Sequence, residues 1–239
     1  MSAVDDAFHG LRRMISTGRL EAGQKFPPEA ELCAELAVSR GSLREAVRML
    51  AALGVVESRH GSGVYVSALR PEELIGSLRL TVDLLPLSGL LEMYEVRRVL
   101  EAHAASQAAA RVDEDLRTEL LGLCTAMEAT ADVEEAATLD ARFHTAIARA
   151  GGSPTLVAFL DVLRTRSRSY QMFGMPDGPT IMRTSNAAHR SIADAIAGRD
   201  PAAAATAAGA HVAQTETWLR HYRPGPSPSW SDGRGGSDT

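Results

Sequence analysis

Val38-Ser39-Arg40-Gly41-Ser42-Leu43-Arg44-Glu45-Ala46-Val47-Arg48-Met49-Leu50 carries two helical periods at once. Leu43, Val47 and Leu50 mark one apolar face, and Arg40, Arg44 and Arg48 recur every four residues out of phase with it. Ser39 is a side-chain N-cap for this helix, and Gly54 is placed to end it. A helix packed on its leucines and valine therefore turns a row of guanidinium groups to solvent. Taken alone, such a row is an ordinary solvated face. Guanidinium groups at this spacing also suit a DNA groove, where arginine pairs with two acceptors on guanine or with phosphates.

The flanking sequence decides between the two. Upstream, Phe8, Leu11 and Ile15 form an apolar stripe that stops near Gly18. Pro27 and Pro28 then introduce a short helix with Leu32 and Leu36 on one face, which breaks at Val38. Downstream, Val55-Val56 and Val64-Tyr65-Val66 read as two strands joined by a turn at His60-Gly61-Ser62-Gly63. Three helices and a glycine-tipped hairpin make residues 1–68 a winged helix-turn-helix. Ser39 and Ser42 add phosphate or base-edge donors, and the Arg59-His60-Gly61 turn is the wing that reaches the flanking backbone or minor groove. Leu69-Arg70-Pro71 is the linker. From 72 to 223 the chain is an all-helical bundle of about seven helices, so the whole is mainly α. Pro224 to Thr239, rich in Pro, Gly and Ser, reads as a disordered tail.

Composition narrows the class. Apolar residues at 45% and charged residues at 23% are those of a globular protein. No apolar run reaches the ~20 residues of a membrane span and no signal segment stands at the N-terminus, which places the chain in the cytoplasm without a membrane partner. Cys33 and Cys124 form no CxxC and read as small core hydrophobes. The net charge of -5 argues against a nucleic-acid partner until it is divided. Residues 1–68 hold eight Lys/Arg and eight Asp/Glu, so this module is neutral and the remainder carries the whole -5. A neutral module still binds DNA if its cations gather on one face.

In the helical region, Asp140 and His144 lie one turn apart on a face shared with Ala136, Phe143 and Ile147. His189 accompanies Ile192 and Ile196 on a later helix, and His211 faces inward near Trp218 on the last one. A carboxylate and neutral imidazoles are ligands for a divalent transition metal, and a bundle can bring them together. A lone histidine on an apolar face is more often a hydrogen-bonded core residue, and His103 is read that way, with His9 and His221 on the surface. Arg97 shares a face with Met93, Leu100 and Ala104, while Arg98 points out. Buried guanidinium at Arg97 pairs with an internal carboxylate or with the carboxylate of a ligand.

Two resemblances sharpen these readings. Gly23-Gln24-Lys25-Phe26-Pro27-Pro28-Glu29, the stretch from Val38 to Ala46, Gly54 and His60 to Val66 together resemble the GntR-type winged helix. That resemblance implies that Ser39, Arg40, Gly41, Ser42 and Arg44 touch DNA, with His60 and Gly61 at the wing tip; Arg48 continues the row. Some members carry a DNA-contacting arginine where this chain has Ala30. Residues 72 to 222 resemble the FCD domain of the FadR subgroup, whose Asp-x3-His, His, His pattern recurs here with spacings of 4, 45 and 22. This second resemblance implies a divalent ion held by Asp140, His144, His189 and His211, zinc first and nickel or manganese as alternatives. It also implies a small organic acid above the metal, contacted by Arg97. Ser153 and Ala188 stand where an asparagine and a glutamate are common.

The expectation is a regulator, of the repressor type, that binds a double-stranded operator with an imperfect palindrome as a homodimer, because one recognition helix reads too few bases to be specific. Two other readings remain open. A metal-dependent hydrolase would need a general base, and the sequence offers no inward-facing Glu beside the metal residues for that role. A metal sensor without an organic ligand would leave Arg97 unused.

Overall fold

The computed structural model describes residues 2–168, 170 and 172–225, and these form two compact units that divide between Leu78 and Arg79. The first contains α1 (Ala3–Ser16), α2 (Glu29–Leu36), α3 (Arg40–Ala52), β1 (Val56–Arg59), β2 (Gly63–Val66) and α4 (Pro71–Gly76). A capping box starts α1: the Asp5 amide donates to Ser2 Oγ at 3.2 Å and the Ser2 amide to Asp5 Oδ2 at 2.9 Å. Its buried residues are Ala7, Leu11 and Met14, so the apolar stripe lies slightly around the helix from Phe8 and Ile15, which are only partly covered. Leu36 of α2 packs straight onto Gly10 of α1, where a Cβ would sit 2.6 Å from Leu36 Cδ2.

Ser39 caps α3 by accepting the Ser42 amide at 3.1 Å, and Leu43, Ala46 and Leu50 enter the core. β1 and β2 pair antiparallel from Val56↔Val66 to Arg59↔Gly63, and Gly61 at the turn takes φ +69, a conformation that favours glycine. Residues 24–26 lie beside β2: the Phe26 amide donates to the Val64 carbonyl and the Val66 amide to the Gln24 carbonyl, each at 2.8 Å. α4 belongs to the first unit, with Leu74 and Ser77 near Gly54, although the sequence put the start of the helical region at 72.

The second unit holds α5 (Arg79–Val82), α6 (Leu87–Arg111), α7 (Glu114–Ala129), α8 (Val133–Ala150), α9 (Pro154–Arg168), a 3-10 turn (Met172–Gly174), α10 (Gly178–Ala197) and α11 (Pro201–Tyr222). The breaks fall at the punctuation of the sequence. Asp113 and Asp132 cap α7 and α8, and Asp200 accepts the Ala202 and Ala203 amides ahead of α11, which has Pro201 at its start. Ala104, Ala105, Ala108 and Ala109 give α6 a face of small buried side chains, against which the core closes with Phe143, Ile147, Ile192 and Ile196. One reading changes: His103 is exposed on α6, one position off that alanine face, and is no core residue. His9 and His221 are exposed as expected. The expected disordered tail lies outside the described residues from 226 onward.

Leu50 is 1% exposed in the core of the first unit. Leu50→Ala should cost about 2–5 kcal/mol by lost transfer energy and a residual cavity. Denaturant unfolding of the first unit's transition checks this, and a loss under about 1 kcal/mol would show a core able to collapse around the gap.

Candidate DNA-reading face and candidate metal centre

In the first unit Arg40, Arg44 and Arg48 project from α3 with side chains 65% to 75% exposed. Each has an acidic neighbour. Arg44 Nε donates to Glu29 Oε2 at 2.9 Å, Arg40 lies 3.9 Å from the same carboxylate, and Arg48 bonds Glu45 at 3.0 Å. Exposed pairs of this kind are worth at most about 1 kcal/mol, so exchanging the carboxylate for a phosphate or a guanine edge costs little. Ser39 and Ser42 sit at the helix start with their hydroxyls 2.9 Å apart, beside exposed Gly41. On the wing, His60 and Gly61 are exposed, and Arg59 is stacked 4.2 Å over the Tyr65 ring while bonded to Glu57. Lys25, which the periodicity did not single out, lines a groove with Arg44, Arg48 and Gly61 to Gly63. Ala30 is exposed at the start of α2.

In the second unit Asp140 and His144 of α8, His189 of α10 and His211 of α11 converge, their donor atoms all within 4.8 Å of one another. His189 Nε2 is 3.2 Å from Asp140 Oδ1 and 3.3 Å from His144 Nε2. Apolar neighbours are the cause: Phe143 and Ile147 beside His144 and Ile192 and Ile196 beside His189 are buried as predicted, while at His211 the buried neighbour is Val212 and the predicted Trp218 is only half-buried. His144, His189 and His211 are 6%, 0% and 4% exposed. Nδ1 of His189 and Nδ1 of His211 are buried with no hydrogen-bond partner, an unusual cost for a purely structural core. Three imidazoles and one carboxylate at this spacing fit a divalent transition ion such as zinc, nickel or manganese.

Around this cluster runs a buried ionic network. Arg97 Nε donates to Glu101 Oε1 at 2.6 Å, and its NH1 reaches the Tyr94 hydroxyl at 3.1 Å and Ser167 Oγ at 3.2 Å. Arg164 donates to Glu101 Oε1 at 3.0 Å and to Asp140 Oδ2 at 2.8 Å. Glu101 Oε2 lies 2.9 Å from His144 Nδ1. Burial opposes charge on Glu101, but Arg97, Arg164 and His144 outweigh it and hold its carboxyl well below the usual range. Burial is likewise overcome at Asp140, chiefly by Arg164, and that carboxyl also stays ionised. At Arg97 the Glu101 charge overcomes burial and keeps the guanidinium protonated above its ordinary range. Burial, with Arg164 adding to it, takes His144 down to about 4 against the pull of Glu101 and Asp140. Burial and the neighbouring imidazoles push His211 well below its usual value too. Both rings are therefore neutral near pH 7, as metal ligation requires.

Arg97 thus pairs with an internal carboxylate and also lines a cavity of about 110 Å³, together with Asp140, Arg164, His211 and Trp218. Glu101 is an inward-facing Glu beside the candidate metal residues that the search for a general base did not find. It is 5% exposed and touches His144, because it follows Arg97 by one turn on the buried face of α6. Arg97, Arg164 and His144 hold its carboxyl well below the usual range, which makes it a weak base toward water. Arg164 was also missed; its apolar companions Leu160 and Leu163 were the available signal. Ser153 caps α9 by accepting the Leu156 amide at 3.2 Å. Ala188 is half-buried beside His189.

Comparison with known proteins gives consistent likenesses in both units. The family model "Bacterial regulatory proteins, gntR family" matches residues 3–66, and "FCD domain" matches residues 92–214. The "Putative L-lactate dehydrogenase operon regulatory protein" of Escherichia coli (strain K12) is 31% identical over 231 residues, covering 91% of this chain and 86% of that one. The "Glc operon transcriptional activator" of the same organism is 29% identical over 211 residues, covering 84% and 83%. Among solved structures, "Streptococcus agalactiae GntR" superposes with a TM-score of 0.56 at 27% identity, over 90% of this chain and 99% of that one.

The depressed imidazoles set a pH dependence. An unfolded histidine titrates near 6.5, whereas His144 in the fold titrates near 4. Between these values the unfolded chain binds more protons, so this stability is present above about 6.5 and is lost as pH falls toward 4, with His211 acting in the same direction. Chelator-treated protein should melt at a progressively lower temperature from pH 7 to pH 5. A flat melting temperature over that range would contradict neutral, buried imidazoles.

Proposed function

The chain belongs to the gntR family of bacterial regulatory proteins and is a DNA-binding transcription regulator with an FCD effector-binding domain; from that premise we propose that a small carboxylic acid, held at a divalent-metal site in the helical unit, sets its affinity for an operator. The observation that carries the proposal is the set of half-buried Asp140 and buried His144, His189 and His211 beside a cavity that Arg97 and Arg164 also line. When bound, the ion supplies positive charge to neutralise and orient a carboxylate. Arg97 presents its guanidinium to the same group from the α6 side, and the walls around Trp218 and Leu219 are mainly apolar. Engineered cavities of about 150 Å³ hold a benzene. The smaller space here suits an acid of a few carbons better than an extended sugar acid.

DNA reading is assigned to residues 1–68, with Ser39, Arg40, Gly41, Ser42, Arg44 and Arg48 in the major groove and His60 and Gly61 at its flank. Sensing is assigned to the helical unit that begins at Arg79. The protein acts as a homodimer on an imperfect palindrome in the cytoplasm; among the described residues no helix is long and apolar enough to cross a membrane. Unpartnered apolar side chains on the helical unit, among them Leu80, Leu84, Val96 and Val99, supply surface for association. Zinc is the first metal to test. Acid binding releases the operator, the repressor mode, although one relative is titled an activator. The hydrolase reading loses support from the low basicity of Glu101 between Arg97 and Arg164, and a metal-only sensor leaves the Arg97 cavity without a role.

Arg44→Ala should weaken operator binding by about 1–3 kcal/mol in gel-shift titrations at fixed salt. Unchanged binding for both Arg40→Ala and Arg44→Ala would remove the recognition-helix assignment. Gently purified protein should hold close to one divalent ion per chain by elemental analysis, and His189→Ala should hold less and melt lower. Equal metal-free preparations of wild type and variant would make the histidine cluster structural.

A further inference from the structure

We propose that Glu101 is the positioning residue of the metal centre, locking His144 with Nε2 toward the other three ligands and tying that lock to the cavity arginines Arg97 and Arg164. The inference rests on the metal reading above and deepens it. An ionised carboxylate only accepts hydrogen bonds, so the 2.9 Å contact between Glu101 Oε2 and His144 Nδ1 requires the proton on Nδ1. The Nε2 lone pair is then left to face Asp140 Oδ1 at 3.7 Å and His189 Nε2 at 3.3 Å. That is the tautomer a ligand needs, and a free histidine does not hold it by itself.

The other oxygen of Glu101 is shared. Arg97 at 2.6 Å and Arg164 at 3.0 Å both donate to Oε1, and Arg164 uses its second arm to hold Asp140 at 2.8 Å. Both α8 ligands are thus restrained through one buried carboxylate: His144 directly, and Asp140 by way of Arg164. Arg97 stands on the cavity wall, so a ligand that draws on its fork changes the competition for Oε1 and thereby the hold on both ligands. Without Glu101, two buried guanidinium groups would share Asp140 as their nearest carboxylate, pulling it away from the cluster.

Glu101→Gln keeps the shape and removes the charge. For folded, metal-stripped protein titrated with Zn²⁺ alone, the variant should lose roughly 10- to 100-fold in affinity, the range seen when the partner of a ligating side chain is removed. The visible absorption of the Co²⁺-loaded protein should shift as well. A lower melting temperature with wild-type Zn²⁺ affinity and an unchanged Co²⁺ spectrum would overturn the proposal, since that is what a purely structural ion pair predicts. Should Glu101→Gln fail to fold, ¹⁵N-histidine NMR of wild-type protein decides: His144 protonated at Nδ1 before and after Zn²⁺ supports the lock, and protonation at Nε2 in the metal-free protein overturns it. If wild type binds neither ion, the metal reading fails separately, and the tautomer still tests the hold of Glu101 on His144.

Discussion

The interior of the helical unit depends on a closed charge balance. Arg97 and Arg164 bring two positive charges below the surface, and Glu101 and Asp140 bring two negative ones, linked by bonds of 2.6 to 3.0 Å. Removing any one partner from such a set leaves an uncompensated buried charge, which is far more costly than the net worth of the pairs. The His144 and His211 rings stay neutral within this frame, so the cluster of donors is held by ion pairs that do not themselves need a metal. A divalent ion would then add two positive charges to a balanced interior. That excess is the electrostatic reason for a carboxylate ligand to follow it.

The winged unit solves a different problem. Within residues 1–68 the Lys/Arg and Asp/Glu are equal in number, and the acids Glu29, Glu45 and Glu57 sit on the arginines of the reading face and the wing. These contacts are exposed and weak, so they tame the arginine row in the free protein without competing strongly with phosphates. The face is cationic in the sense that its arginines can be released. A stronger excess of positive charge would raise binding to any DNA as much as to an operator.

How much of this was legible follows from distance along the chain. The recognition helix was readable because its cap, its apolar face and its arginine row all fall between Ser39 and Leu50. The Asp140, His144, His189 and His211 cluster was readable because each histidine lies in an apolar stripe and Asp140 stands one turn from His144. Glu101 was not: it lies one turn on along the face given to Arg97, and only the fold shows that this face of α6 meets His144. Arg164 opens the run Arg164-Thr165-Arg166-Ser167-Arg168, which reads as solvated. The Glu29–Arg44 pair spans 15 residues and two helices, beyond any local period. The position of α4 was hidden for the same reason, since Leu74 finds its neighbour at Gly54.

The central claim is that metal and acid act together on DNA affinity. Operator binding by wild-type protein should be measured by fluorescence anisotropy against a panel of short hydroxy acids and other monocarboxylates, once with zinc loaded and once with the metal stripped. The account predicts that one such acid shifts operator affinity by roughly 5- to 150-fold in the zinc-loaded protein and has little effect on the stripped one. An equal shift with and without zinc, or none with any acid in the zinc-loaded protein, would contradict it.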